Sequence, residues 1–172
     1  HTHFNDPEKR EHIRRLLIRA AQQKTIPIVN YNDPVSDEEN RKMELAIRRS
    51  HGDQVVECVD NDETAAVIAN LVHAKKLVLM TSTEGIYRDP ADPKTLVEQV
   101  TAKSMEELEE KVRQLQESCV GASRAGANGA KAKLEYALKS ARQGTMVIIG
   151  HARHRLSDLV EGRVACTRIG LE

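Results

Sequence analysis

The sequence predicts an α/β fold, a three-layer sandwich built on a mainly parallel central sheet. Three observations carry that expectation. Short apolar runs rich in β-branched residues alternate with longer stretches whose apolar residues recur at helical spacing. Polar, turn-forming clusters fall at the C-terminal ends of those runs, where parallel sheets gather their ligands. The chain of 172 residues is 40% hydrophobic, enough to build a real core, and it carries no internal repeat or low-complexity tract.

Taken in order, Asp6-Pro7 is a helix opening, with Asp as the cap and Pro at the first helical position. Ile13, Leu16, Leu17, Ala20 and Ala21 then predict a helix to about Gln23. Ile26-Pro27-Ile28-Val29-Asn30 reads as a buried strand that delivers the loop Tyr31-Asn32-Asp33-Pro34 at its C-terminal end. Residues 36–53 are charged with a thin apolar stripe of Met43, Ala46 and Ile47, which predicts a surface helix. A short strand around Val55-Val56 leads to Asp60-Asn61-Asp62, able to cap a helix with Ala65, Ile68, Ala69 and Val72 on one face.

Leu77-Val78-Leu79-Met80-Thr81 reads as a second central strand, followed by the turn Ser82-Thr83-Glu84-Gly85. Ser104 and Glu107 form a capping box for a helix with Met105, Leu108, Val112, Leu115 and Cys119 inward. The small-residue loop from Gly121 to Gly129 opens a helix marked by Ala130, Leu134, Ala137, Leu138 and Ala141, and Gly144 ends it. Met146 to Gly150 is a third buried strand, and Val164 to Ile169 reads as an edge strand.

Charge and cysteines exclude several classes. Lys plus Arg (26) balances Asp plus Glu (26), so no global field favours nucleic acid or an anionic membrane, and any anion must be held by a local site. Cys58, Cys119 and Cys166 lie far apart without a CxxC pair, as in reduced thiols of a cytoplasmic protein rather than a zinc ribbon or a disulfide framework. No apolar run approaches the about 20 residues of a membrane span. The start at His1 reads as the start of a fragment, and Leu171-Glu172 as a tag junction, leaving 1–170 for the fold.

Several clusters could carry chemistry. Asn30-Tyr31-Asn32-Asp33 is a ligand-facing loop or an ordinary Asx-rich turn, and Asp60-Asn61-Asp62 is a polar site or a plain helix cap. The loop of glycines and alanines leads into a helix with Lys131 and Lys133 in its first turn. Small residues let backbone N–H groups approach phosphate oxygens at a helix N-terminus. Lysines there oppose the helix macrodipole, a cost that an anionic ligand would offset. The loop is neither a Walker P-loop nor a dinucleotide fingerprint. His151 and His154 sit at a spacing compatible with metal, but the sequence arranges no carboxylate or third ligand with them, so no metal site is expected. Arg153 and Arg155 beside them could assist an anionic ligand or be solvated.

The order of these segments resembles the amino acid kinase family, and within it the C-terminal part of glutamate 5-kinase. The resemblance rests on Ile26 to Asp33, Asp60 to Ala66, Leu77 to Tyr87 and Gly126 to Leu134, with Gly150 to Gly162 similar to the family's final strand and helix. It implies a truncated amino acid kinase-like fold and an ATP-dependent phosphotransferase using Mg²⁺. Residue by residue, it implies that Asn32, Asp33 and Asn61 meet the small-molecule acceptor and that Asp62 organises the loops of the site. Thr81 and Ser82 would lie against ATP. Gly126, Ala127, Asn128, Gly129, Ala130, Lys131 and Lys133 would wrap its phosphates, with Lys133 neutralising charge on the transferred group.

The chain departs from the family pattern at Ser82, where Asp is usual, in a loop less rich in glycine and hydroxyls, and in a charged insertion between Asp33 and Asp60. It also lacks a counterpart of the family's N-terminal glycine loop and lysine, so the fragment alone is expected to be inactive. Glutamate is the first expected acceptor. A nucleoside monophosphate such as UMP or another small acid is the alternative, as is a nucleotide-binding module without turnover. A cytoplasmic homo-oligomer acting on small molecules, with neither nucleic acid nor membrane as partner, completes the expectation.

Overall fold

A computed structural model describes residues 6–29, 61–89, 91–118 and 129–172. The chain divides into two compact units, His1–Thr64 and Ala65–Glu172.

In the first unit, α1 spans Pro7–Gln22. The Asp6 carboxylate accepts from the N–H groups of Glu8 (3.0 Å) and Lys9 (3.2 Å), with Pro7 at the first helical position, as the sequence indicated. The backbone N–H of Lys9 is the main reason that the Asp6 carboxyl titrates below its ordinary value. No residue of α1 is buried, and Leu16 on its apolar stripe is 54% exposed. The Ile26 run does not behave as expected. The residues described in it, Ile26 to Val29, form no strand, and Ile26 and Ile28 are 90% and 94% exposed. A strand is a pairing and not a composition: no ladder among the described residues reaches this run, and Pro27 has no N–H to offer one. Asn30, the 36–53 helix, the strand at Val55-Val56, Asp60, Cys58 and Cys119 lie outside the described residues.

Helix α2, Asn61–Leu71, crosses the boundary between the units; Ala66, Ala69 and Leu71 are its buried residues in the second. There follow β1 (Lys76–Thr81), a 3₁₀ turn (Pro93–Thr95), β2 (Gln99–Ala102), α3 (Met105–Ser118), α4 (Gly129–Ala141), β3 (Met146–His151), α5 (Leu156–Glu161) and β4 (Thr167–Leu171). The sheet has the order β1-β3-β4-β2; β1–β3 and β2–β4 are parallel and β3–β4 is antiparallel. Alternation along β3 builds the three layers. Val147 and Ile149 face the core formed with α3 and α4, whose Leu108, Val112, Leu134 and Ala137 are at most 1% exposed, while Ile148 faces Leu159 of α5 and Cys166 on the other side.

The α3 capping box forms in shifted shape. The Glu107 N–H donates to Ser104 Oγ at 3.2 Å, while the Glu107 carboxylate accepts from the N–H of Lys103 at 3.3 Å instead of that of Ser104.

Two strand placements differ from expectation. The run Leu77–Thr81 lies at an edge of the described sheet, not in its centre, and the last strand is interior, between β3 and β2. The sequence of β4, Thr-Arg-Ile-Gly-Leu, contains an Arg and a Gly, and both have interior uses. Arg168 Nη2 donates to the carbonyls of Leu159 (3.0 Å) and Val160 (3.1 Å) at the C-terminal end of α5, where a cation is favoured. Gly170 leaves room for Met146, whose Cε would stand 2.9 Å from an added Cβ. Leu171 pairs with Ala102, and the Glu172 N–H donates to the Ala102 carbonyl at 3.0 Å.

Helices α1, α2, α4 and α5 stop in the same way, in a Schellman pair of backbone bonds around one left-handed residue: Lys24 (φ 57°), His73 (φ 52°), Gly144 (φ 80°) and Gly162 (φ 72°). Glycine adopts this conformation without steric cost, whereas Lys24 and His73 bear it. His73→Gly is therefore expected to stabilise the protein by up to about 1 kcal/mol, and Gly144→Ala to destabilise it by a similar amount. An added Cβ at Gly144 meets nothing within 4 Å, so the cost there is backbone strain alone. Urea melts of the two variants give the check: equal midpoints would reject the assignment.

Candidate functional site

Because β1 and β3 are parallel neighbours in register, with Thr81 opposite His151, the turns that leave them emerge side by side. The Ala152 N–H donates to the Thr81 carbonyl at 2.8 Å and ties the two turns together. Helix α4 enters β3 through the tight turn at Gly144, where the Thr145 N–H returns to the Ser140 carbonyl at 3.2 Å, so the two elements run in opposite directions. The 13 residues of α4 at about 1.5 Å each match the length of the six residues of β3 at about 3.3 Å each. The first turn of α4 therefore lies at the end of the sheet where β1 and β3 finish.

Thr81, half-buried, closes β1, and Ser82 follows it exposed. Gly129 opens α4 with φ 41°, a backbone conformation that favours glycine. Ala130 packs on the main core, Lys131 is exposed and Lys133 half-buried. The Lys131 carbonyl accepts from Gln116 Nε2 at 3.0 Å, which fastens the start of α4 to α3. The sequence-derived nucleotide residues Thr81, Ser82 and Gly129 to Lys133 thus belong to elements whose ends lie at the same end of the sheet. Asn61, exposed, and Asp62, half-buried, occupy the first turn of α2 and belong to the first unit. Asn32, Asp33, Gly126, Ala127 and Asn128 lie outside the described residues.

The turn after β1 holds a side-chain cluster that the sequence did not reveal. Glu84, in the turn after β1, brings one carboxylate oxygen to 2.6 Å from His154 Nε2 and the other to the Arg153 guanidinium. The side chains of Glu84 and His154 are only 17% and 20% exposed. One of the two histidines, His154, thus does have a carboxylate beside it, which the sequence did not lead one to expect. The signal was the occurrence of Glu84 and His151-Ala152-Arg153-His154 directly after two apolar runs; it became readable only once those runs were neighbours. Among the described residues no group of three His, Cys, Asp or Glu is placed to hold a metal ion, and no helix is long and apolar enough to cross a membrane.

The model of the amino acid kinase family matches residues 2–151. The chain belongs to the amino acid kinase family. Among curated relatives it is 31% identical over 173 residues to glutamate 5-kinase of Geobacillus kaustophilus (strain HTA426), covering 97% of this chain and 41% of the relative. It is 30% identical over 172 residues to glutamate 5-kinase 1 of Bacillus subtilis (strain 168), with 96% and 41% covered. The chain thus spans about two-fifths of the length of these relatives. Among solved structures, carbamate kinase from Giardia lamblia bound to AMP-PNP superposes with a TM-score of 0.49 at 20% identity, over 66% of this chain and 32% of that one. For an amino acid kinase chain, the family match spans β1, its turn and the α4–β3 hairpin, and ends at His151.

Proposed function

We propose that the protein is an ATP-dependent phosphotransferase that moves the γ-phosphoryl group of ATP onto the carboxylate of a small metabolite, with glutamate as the first candidate. What supports this reading is the match to the amino acid kinase family, with the Thr81-Ser82 turn and the first turn of α4 at the same end of the sheet. An acceptor carboxylate oxygen attacks the γ-phosphorus, the bond from phosphorus to the bridging β–γ oxygen breaks, and ADP leaves with that oxygen as an acyl phosphate forms. Such a transfer depends on positioning and charge neutralisation, so no nucleophilic triad is required of the protein.

In this reading Thr81 and Ser82 border the nucleotide, and the stretch from Gly126 to Lys133 wraps its phosphates, with Lys133 facing the charge of the transferred group. Asn32, Asp33 and Asn61 hold the acceptor and Asp62 orders the surrounding loops, all within a segment, residues 1–170, that serves both substrates. Mg²⁺ would arrive on the nucleotide phosphates, since an ion that keeps several waters requires only one or two protein carboxylates. Cytoplasmic location and homo-oligomeric assembly belong to the same proposal; light scattering tests the latter.

Ser82, standing where the family resemblance leads one to expect Asp, favours a second reading, a module that binds nucleotide without turnover. The charged stretch between Asp33 and Asp60 favours an acceptor other than glutamate, a nucleoside monophosphate included. Calorimetry with MgATP, followed by ATP consumption measured against amino acids, nucleoside monophosphates and small acids, separates these readings. No binding at millimolar MgATP would reject the nucleotide site. Asp33→Asn is expected to raise the acceptor KM or lower turnover while leaving the affinity for ATP nearly intact, because its loop belongs to the acceptor cluster. Loss of ATP binding in a variant that melts like the parent would show the two clusters to be wrongly divided.

A further inference from the structure

We infer that Glu84 is a positioning residue for the nucleotide, a carboxylate bolt that fixes the Thr81-Ser82 turn to the turn after β3 through Arg153 and His154. The inference rests on the phosphotransferase reading and concerns a residue which that reading leaves without a role.

The β3 turn is ordered by its own bonds. The Arg153 N–H donates to His151 Nδ1 at 3.0 Å, and the His154 N–H donates to the His151 carbonyl at 3.1 Å. The β1 turn is ordered in the same manner, with Thr83 Oγ1 donating to the Gly85 carbonyl at 3.0 Å. Between the two turns run one backbone bond, from the Ala152 N–H to the Thr81 carbonyl, and the two side-chain contacts of Glu84. Glu84 adds to that bond by engaging Arg153 and His154 with separate carboxylate oxygens. The His154 contact holds in either form of the ring, because the cation and the neutral tautomer with hydrogen on Nε2 both donate to the carboxylate. Withdrawing a carboxylate from water this far is costly unless it is paired, and both oxygens here are paired. Ser82 is exposed two residues before Glu84 in the same turn, so a change in the Glu84 contacts reaches the residue that borders the nucleotide in the proposed reading.

The experiment uses the complete protein with MgATP and the acceptor found by the panel. Glu84→Gln keeps the shape of the side chain and removes its charge. The expected result is a KM for MgATP raised about tenfold with a smaller change in kcat, since displacing a substrate-contacting turn without moving the reacting groups costs mainly ground-state binding. Arg153→Gln should raise the same KM by a smaller factor, since the His154 contact remains, and the double variant should do little more than Glu84→Gln alone, because Arg153 acts through Glu84. A purely structural residue would lower the melting temperature and leave KM untouched in the folded protein. An unchanged KM in folded Glu84→Gln, or full additivity in the double variant, overturns the inference and leaves the phosphotransferase reading intact. A parent protein that neither binds nor consumes MgATP overturns both.

Discussion

Lys133→Ala in the complete protein should lower kcat roughly a hundredfold or more, the loss of about 3 kcal/mol typical of removing a group that acts chiefly on transition-state charge. Lys131→Ala should be far milder. Residues two apart on a helix are turned by about 200°, so the two ammonium groups cannot both aim at one phosphoryl group. The surroundings agree with the choice, since Lys133 is half-buried and Lys131 is exposed. Steady-state kcat and KM for both variants, each checked by melting temperature, decide the matter. A near-normal kcat in Lys133→Ala with a large loss in Lys131→Ala would move the register of the loop by two residues and undo the assignment of the nucleotide site.

The largest loss of stability is expected at Gly85. A Cβ there would stand 2.4 Å from Thr167 Oγ1 and 2.9 Å from the Thr167 backbone nitrogen. That hydroxyl accepts from the Ile86 N–H at 2.8 Å and donates to the Val97 carbonyl at 2.7 Å, on a side chain that is 0% exposed. Gly85→Ala therefore imposes overpacking and disturbs a buried hydrogen-bond relay together, for a cost of about 3 kcal/mol or more. In a chain of this size that corresponds to a melting temperature lowered by about 10 °C. Thr167→Ala alone is expected to destabilise by roughly 2 kcal/mol, because it leaves the Ile86 N–H and the Val97 carbonyl without their shared partner. Gly85→Ala combined with Thr167→Ala should cost less than the sum, since the hydroxyl that the new methyl strikes is gone. Strict additivity would show that the two residues do not compete for the same space.

Local chemistry was legible in the sequence, and partnership was not. The Asp6-Pro7 cap, the Ser104 and Glu107 pair, the Gly144 stop and the alternation of Val147, Ile148 and Ile149 each depend on residues within a few positions, and all took the expected element. Which strand lies beside which depends on distant pairings. Hence β1 and β4 exchanged their expected edge and interior places, and β2, with only four residues, escaped notice. The run at Ile26 shows the same limit from the other side, for its composition suits a strand while its described residues pair with none. Thr81, Ser82 and the start of α4 could be proposed from sequence because each follows or opens an element. Glu84 was missed because its significance lies in Arg153 and His154, many residues away.

The interior place of β4 has a consequence for the order in which the protein can fold. Among the described strands, β1 and β2 touch the rest of the sheet only through β3 and β4 respectively, and β4 joins the halves by the antiparallel pairing of Val147, Ile148 and Ile149 with Ile169, Arg168 and Thr167. During synthesis β1 can pair as soon as β3 emerges from the ribosome. Residues 99–102 have no ladder partner among the described strands until residues 167–171 have also emerged, so β2 waits unpaired and β3 keeps one open edge on the nascent chain. A polypeptide stalled before Thr167 should hence be prone to self-association through β3, and its release from that hazard comes in one step when β4 inserts.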